Sequence, residues 1–372
     1  MRKKSSVLPL LAKTVAPAAA LTLLAGFGAG TLSSASPASP AVSARPAGAG
    51  SLTQAASGSA DIRVATFNIS SMVLDSTHGP LRPWKERRSR VISEILSEHV
   101  DVIGIQEAAP GRSMPHHVVD GANQYLDLRN GLNKAGGHYA LTVAAGFNCV
   151  NSVTSYHCKK MDRDASNTDR ILYNTQKLTM VGHNSMAYSH RTARNAHPFL
   201  TWARFRIRSN GHEFRFFDTH LDPRNRAVRK AQWQQMIKQV NHLKQGRPVI
   251  SVGDFNTQKF DPMAASMFPA MKRSGYGEVL NEQYRVNPNP HIRARQRTHA
   301  WISSVNHMSR NVRAFSYDDA TSKTGNSIDH IFASNSLSVR SYKVVLKFNP
   351  STMQVSGVLP SDHNLVCATI AI

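Results

Sequence analysis

Pro248-Val249-Ile250-Ser251-Val252-Gly253-Asp254-Phe255-Asn256 is a β-like apolar run that ends on a carboxylate and a carboxamide two residues apart. Alternate residues of a strand share a face, so Asp254 and Asn256 can both be aimed from a strand end at one reacting group. A carboxylate there can accept a proton or hold a metal-bound water, and a carboxamide can donate to a phosphate oxygen. Gly, Asp and Asn are also the usual turn formers, so the tetrapeptide by itself reads equally well as a turn. Its neighbours along the chain decide between the two.

Working outward, Ile62 to Asn68 alternates as a strand, and Trp84 to His99 carries the apolar stripe Val91, Ile92, Ile95, Leu96 of a helix. Val100 to Glu107, Arg170 to Tyr173, Phe199 to Ile207 and Glu213 to His220 read as strands. Ala227 to Leu243 reads as a second helix, and strands follow at Val249 to Val252, Ile328 to Ala333, Ser341 to Val345 and Leu365 to Ile370. Strand pairs separated by helices, without strict βαβα alternation, point to an α/β protein of two packed mixed sheets with helices outside.

Where each apolar strand stops, polar chemistry gathers: Asn68; Gln106-Glu107; Asp218-Thr219-His220; Asp254 with Asn256; Asp329-His330; Asp362-His363-Asn364. Loops over a sandwich would collect such groups into one site. Carboxylates without thiolate partners suit Mg²⁺ first, with Mn²⁺ or Ca²⁺ as alternatives, better than Zn²⁺. Two histidines near carboxylates suit acid/base work or phosphate binding at neutral pH.

The first 60 residues are of another kind. Met1-Arg2-Lys3-Lys4 is basic, Val15 to Gly30 is largely apolar, and a Ser/Ala/Pro/Gly-rich stretch runs to Ala60. That order is the order of a secretory leader. Pro17 and the many small residues weaken the alternative, a membrane anchor. The expectation is a signal over 1–44, with small-residue cleavage candidates near Ala35 and Ala44, a flexible linker over 45–60, and a catalytic domain over 61–372 in an extracellular, monomeric protein without stable membrane association. Removing the first 60 residues takes away five Lys/Arg and no acid, leaving 40 basic against 23 acidic residues, net +17. Such a charge favours polyanionic partners through counterion release, and an anionic lipid surface is the competing reading. Export makes a Cys149–Cys158 bridge plausible, while Cys367, in an apolar run, reads as a buried thiol.

Thr66-Phe67-Asn68, Ile105-Gln106-Glu107, Ile171-Leu172-Tyr173, Asp218-Thr219-His220-Leu221, Gly253-Asp254-Phe255-Asn256, Ser327-Ile328-Asp329-His330-Ile331-Phe332 and Ser361-Asp362-His363-Asn364 together, in that order, resemble the endonuclease/exonuclease/phosphatase superfamily. The resemblance implies a four-layer α/β/β/α sandwich of two mixed β-sheets and metal-assisted hydrolysis of a phosphoester. It implies Glu107 as principal metal ligand with Asn68 beside it, and Asp362 completing a second cation site. His220 and His363 would share acid/base work, with Asp329 orienting His363 and Asp254 activating the water. Asn256 and Tyr173 would bind the phosphate.

Fold and core chemistry are shared across several phosphoester substrates, so other residues must choose among them. The stretch Arg285 to Trp301 is rich in Arg and His, including Arg293, Arg295 and Arg297, and ends on an aromatic ring; a second basic stretch runs from His190 to His197. Such loops can track several phosphates and offer a stacking plane, or can be merely a solvated basic surface. No Trp/Phe-rich run that would dock on a membrane is present. The expected substrate is therefore nucleic acid, DNA in the first place with RNA left open. A sphingomyelinase-like or other small-molecule phosphoesterase is the rival within the fold, and a non-catalytic nucleic-acid-binding protein is the rival outside it.

Overall fold

The computed structural model describes residues 58–75, 81–109, 123–143, 168–192, 199–259, 261–280, 296–316 and 327–372, all within one compact unit, Thr53–Ile372. Cys149, Cys158, Arg293 and Arg295, and with them the expected bridge and most of the basic loop, lie outside the described residues.

In chain order the elements are β1 (Asp61–Asn68), α1 (Trp84–Ser97), β2 (Val102–Gln106), α2 (Gln124–Lys134), β3 (Tyr139–Leu141), β4 (Arg170–Asn174), β5 (Leu178–Ala187), β6 (Phe199–Ile207) and β7 (Glu213–His220). They continue with α3 (Arg226–Leu243), β8 (Val249–Asp254), α4 (Ala264–Arg273), β9 (Tyr276–Glu278), β10 (Gln296–Thr298), β11 (Asp329–Ser334), β12 (Ser338–Val345), the short pair β13 (Phe348–Asn349) and β14 (Gln354–Val355), and β15 (Leu365–Ala371). One sheet has the order β10-β12-β15-β1-β2-β4-β3 and the other β5-β6-β7-β8-β11-β9. Both are mixed: β1 runs parallel to β2 and β7 parallel to β8, while β15 and β11 run antiparallel beside them.

Period-two alternation builds the layers. Ile62 and Val64 of β1, Val102 of β2, Phe214 and Phe216 of β7, Ile250 and Val252 of β8 and Ile331 of β11 face the seam between the sheets and form one core. The intervening residues face outward. Phe67, Ile103, Ile105 and Cys367 pack with Trp84, Val91 and Ile95 of α1 and Tyr125, Leu128 and Leu132 of α2. Phe217, Val249 and Phe332 pack with Trp233, Met236 and Val240 of α3 and Met267 and Met271 of α4. The result is the expected four-layer order, helices, sheet, sheet, helices.

Gly104 marks a close approach of the two sheets. A Cβ there would run into Asp218 Oδ1 and Val252 Cγ2 of the facing sheet. Cys367 is buried and free, its thiol pushed up to about 12 by burial. Among the described residues no helix is long and apolar enough to cross a membrane.

Candidate active site

The parallel strands all finish at one edge of the sandwich, and there the seam changes from apolar to polar. Asn68 ends β1 and pairs in register with Gln106, which ends β2. His220 ends β7 in register with Asp254, which ends β8. Antiparallel β11 starts at this edge, with Asp329 opposite Asp254, and β15 follows Ser361-Asp362-His363-Asn364. Six strands from two sheets thus bring together residues up to 295 positions apart in the chain, from Asn68 to His363.

The chain leaves the strands by uncommon backbone. Glu107 has φ 61° and Asn256 φ 47°, both in the left-handed region that costs a residue with a side chain about 1 kcal/mol or more. Gly253 has φ 151°, and a Cβ there would strike the Thr219 carbonyl, so the residue before Asp254 has to be glycine. These turns aim the carboxylates of Glu107 and Asp254 into a common space. Asn68 Nδ2 donates to Glu107 Oε1 at 3.0 Å and to Asp254 Oδ2 at 3.2 Å.

Asp254 is the hub. Its Oδ1 accepts from the Asn256 amide at 2.8 Å, and its Oδ2 stands 3.5 Å from His220 Nε2 and 3.7 Å from His363 Nε2. On its far side His363 donates from Nδ1 to Asp329 Oδ2 at 2.9 Å, and Ser304 Oγ donates to the same oxygen at 2.6 Å. That pair of bonds turns Nε2 toward Asp254 and fixes which nitrogen of His363 faces the substrate side. Burial pushes the His363 imidazole down, but Asp329, Asp254 and Asp362 together outweigh it and hold it well above the ordinary histidine value. Burial likewise opposes charge on His220, and Asp254, Glu107 and Asp169 raise it. Both rings are thereby poised as proton donors beside a carboxylate.

Several supporting residues had no role assigned from the sequence. Asp169 is 2% exposed, sits in the electrostatic reach of His220, and is raised to about 7 by burial. It precedes β4, which runs antiparallel to β2, so the start of β4 meets the end of β2; only the topology reveals it. Asp218 faces the seam two residues before His220 and accepts from Gln106 Nε2 at 2.6 Å. Ser361 donates to the Asn68 carbonyl at 2.7 Å and to Asp362 Oδ1 at 3.0 Å, linking the start of β15 to the end of β1.

Other expectations need correction. Tyr173 is not at the site: its register partner on β2 is Val102, three residues back from Ile105, which pairs with Arg170. That places it roughly 10 Å down the sheet from the polar edge. There it is 9% exposed in the seam core, its ring 5.0 Å from that of Phe205. Asn256 is at the site, but its Nδ2 donates to the Leu221 carbonyl at 2.9 Å, leaving one amide hydrogen for a ligand. Arg297 lies in exposed β10 at the border of the larger sheet.

The donor set fits a hard divalent cation. Asp254, Asp329 and His363 offer atoms within 4.8 Å of one another. Within that trio Asp329 Oδ2 and His363 Nδ1 are bonded to each other, and Asp254 is the carboxylate that also stands beside Glu107 across Asn68. Glu107 and Asp254 both accept from the one side-chain NH₂ group of Asn68, which holds the two carboxylates close together. Oxygen ligands of this kind suit Mg²⁺, Mn²⁺ or Ca²⁺. Asn68 itself serves as the bridge between them, its Oδ1 being taken by the Ser70 amide at 3.0 Å.

Comparisons with known proteins bear on the family and the fold. Nocturnin of Drosophila melanogaster is 25% identical over 247 residues, covering 62% of this chain, which spans 35% of that relative's length. Among solved structures, a mannosyl-6-phosphatase of Bacteroides thetaiotaomicron superposes with a TM-score of 0.57 at 19% identity, covering 84% of this chain and all (100%) of the other. The TDP2 of D. rerio, solved with a single-strand DNA product, superposes at 0.51 with 13% identity over 83% and 98% of the two chains. A sequence profile of the Endonuclease/Exonuclease/phosphatase family matches residues 65–363, from the middle of β1 to His363 at the polar edge, and the chain belongs to that family.

Proposed function

We propose that this protein is a secreted, divalent-metal-dependent phosphodiesterase that hydrolyses nucleic acid, extracellular DNA in the first place. The observation that carries the chemistry is Asp254 Oδ2 standing between two histidine Nε2 atoms, with the Glu107 carboxylate joined to it through Asn68. A divalent cation held by Glu107 and Asp254 would supply Lewis-acid stabilisation of the phosphoryl oxygens. Asp254, held by the Asn256 amide, orients a water and accepts its proton. His363, kept protonated by Asp329, and His220 from the other side present their Nε2 protons to the phosphate, one as a hydrogen bond to a nonbridging oxygen and one passed to the departing ester oxygen as its bond to phosphorus breaks, so that charge developing on these oxygens meets two fixed donors. Buried Asp169 steadies the charge on His220.

Two facts support nucleic acid over a small phosphoester. The chain after residue 60 carries net +17, suited to a polyanion, and a protein of the same fold has been solved with single-strand DNA. The leader-like composition of the first 60 residues supports an extracellular setting. The test is supercoiled plasmid incubated with the purified protein and Mg²⁺, Mn²⁺ or Ca²⁺, with and without EDTA. Nicking that EDTA stops supports the proposal. Intact plasmid, together with phosphate released from a sugar phosphate or phosphocholine from sphingomyelin, moves the substrate to a small molecule or lipid; retention of DNA without turnover moves the protein to a binding role.

A further inference from the structure

Arg87 is wholly buried in α1, far in sequence from every catalytic group, yet it spends its guanidinium on the turns that carry them. Its Nη1 donates to the carbonyl of Ile69 and, at 3.0 Å, to that of Pro360; its Nη2 donates to the Ser70 carbonyl at 2.6 Å and lies 3.5 Å from Asp75 Oδ1. Gln124, wholly buried at the start of α2, meets the same turn. Its Nε2 donates to the Ser70 carbonyl at 2.9 Å, and its Oε1 accepts from the amides of Met72 at 2.9 Å and Ala109 at 3.0 Å.

The turn so held is the one that orients the cation-binding side chains. The Ser70 amide donates to Asn68 Oδ1 at 3.0 Å, and the Ser71 amide donates to Glu107 Oε2 at 3.2 Å. Ser70 has φ 51°, a conformation that a residue with a side chain keeps only when its surroundings impose it. Pro360 stands directly before Ser361-Asp362-His363, and Ala109 two residues after Glu107. One arginine and one glutamine from two outer helices therefore grip the three backbone segments on which Asn68, Glu107 and Asp362 are mounted.

We propose that Arg87 and Gln124 are positioning residues for the cation cradle: acting through the Ser70-Ser71 turn, they set the angle at which Glu107 meets a divalent metal and at which Asn68 bridges Glu107 to Asp254. The inference rests on the metal reading of that cradle. It differs from ordinary structural support in the sign of one effect. Arg87 is a buried cation facing Glu107 and Asp362, so on charge alone its removal should tighten binding of a divalent metal. If it acts by positioning, its removal loosens binding, and partners of this kind are typically worth about 10–100-fold in metal affinity.

The experiment is calorimetric titration of Mn²⁺ into EDTA-stripped full-length protein, wild type beside Arg87→Met, Arg87→Lys and Gln124→Met, each also melted. Arg87→Met is expected to weaken Mn²⁺ binding about 10-fold or more. Arg87→Lys, which keeps the charge but cannot reach three carbonyls at once, should weaken it too. Gln124→Met removes the bonds to Ser70, Met72 and Ala109 without adding charge near the cradle, and should likewise weaken binding; it provides the measurement should Arg87→Met fail to fold. Unchanged or tighter Mn²⁺ binding by the folded variants, whatever their melting temperature, overturns the positioning role. Absence of Mn²⁺ binding by the wild type overturns the metal reading itself.

Discussion

His363 joins two acids: its Nδ1 donates to Asp329 Oδ2 at 2.9 Å while its Nε2 stands 3.7 Å from Asp254 Oδ2. The ring is thus held by one carboxylate and turned toward the other. Asp329→Asn keeps the shape but supplies an amide that no longer favours a proton on Nδ1. We expect it to lower kcat about 10²–10⁴-fold with a far smaller effect on KM, and His363→Ala to do at least as much. Initial rates at saturating substrate decide; a loss below tenfold for Asp329→Asn would remove Asp329 from the mechanism.

Tyr173 tests the placement of the site from the other direction. Its ring packs on Phe205 in the seam, well down the sheet from Asp254. Tyr173→Phe should leave kcat and KM within about twofold, while Tyr173→Ala should cost about 3–5 kcal/mol of stability in a denaturant titration. A Tyr173→Phe variant with wild-type stability and strongly raised KM would return this residue to the substrate.

Glu94 of α1 gives a pH dependence unconnected with catalysis. It is 4% exposed, Arg90 Nε donates to its Oε1 at 2.7 Å, and its carboxyl is pushed up to about 7, mainly by burial. Because the folded value lies above the unfolded one, the native state binds the proton more tightly. Stability from this group is therefore complete below about pH 4.5 and is lost as pH rises through about 7. Glu94→Gln removes that loss. The variant should match the wild type near pH 4 and exceed it by about 3 kcal/mol at pH 8.5, read as a higher melting temperature there; equal melting at both pH values refutes it.

Gly104→Ala probes the seam. The new methyl would meet Asp218 Oδ1 and Val252 Cγ2 across the sheets, and overpacking of this kind costs about 1–3 kcal/mol. Because Asp218 shares β7 with His220, turnover should fall together with stability. A variant as stable and as active as the wild type would mean that the sheets can part there without effect.

Much of the frame was legible in the chain because strands and catalytic groups coincide. Wherever an alternating run ended on Asn68, Glu107, His220 or Asp254, both the element and its chemistry could be read from the same few residues. Two helices escaped notice. α2 has Gly131 in its middle, where a Cβ would collide with Ile92 of α1, and α4 contains Pro269; both residues count against a helix until packing requires one. Tyr173 was misplaced because its position depends on pairing register with β2, a long-range property that its own strand does not encode. Arg87, Gln124 and Ser304 were invisible for a related reason: they act on backbone carbonyls and amides brought near only by the completed fold.

The seam between the sheets has a consequence for how this protein acquires its activity. Asn68 and Glu107 come from one sheet and its exit turn, His220, Asp254 and Asp329 from the other, and the bond from Asn68 to Asp254 crosses between them. Neither sheet holds a working set of groups alone. In refolding, turnover should therefore lag behind the recovery of helix and strand signals, returning only with the docking event that buries the facing apolar residues. Substrate cleavage then serves as a clock for the last long-range step of folding.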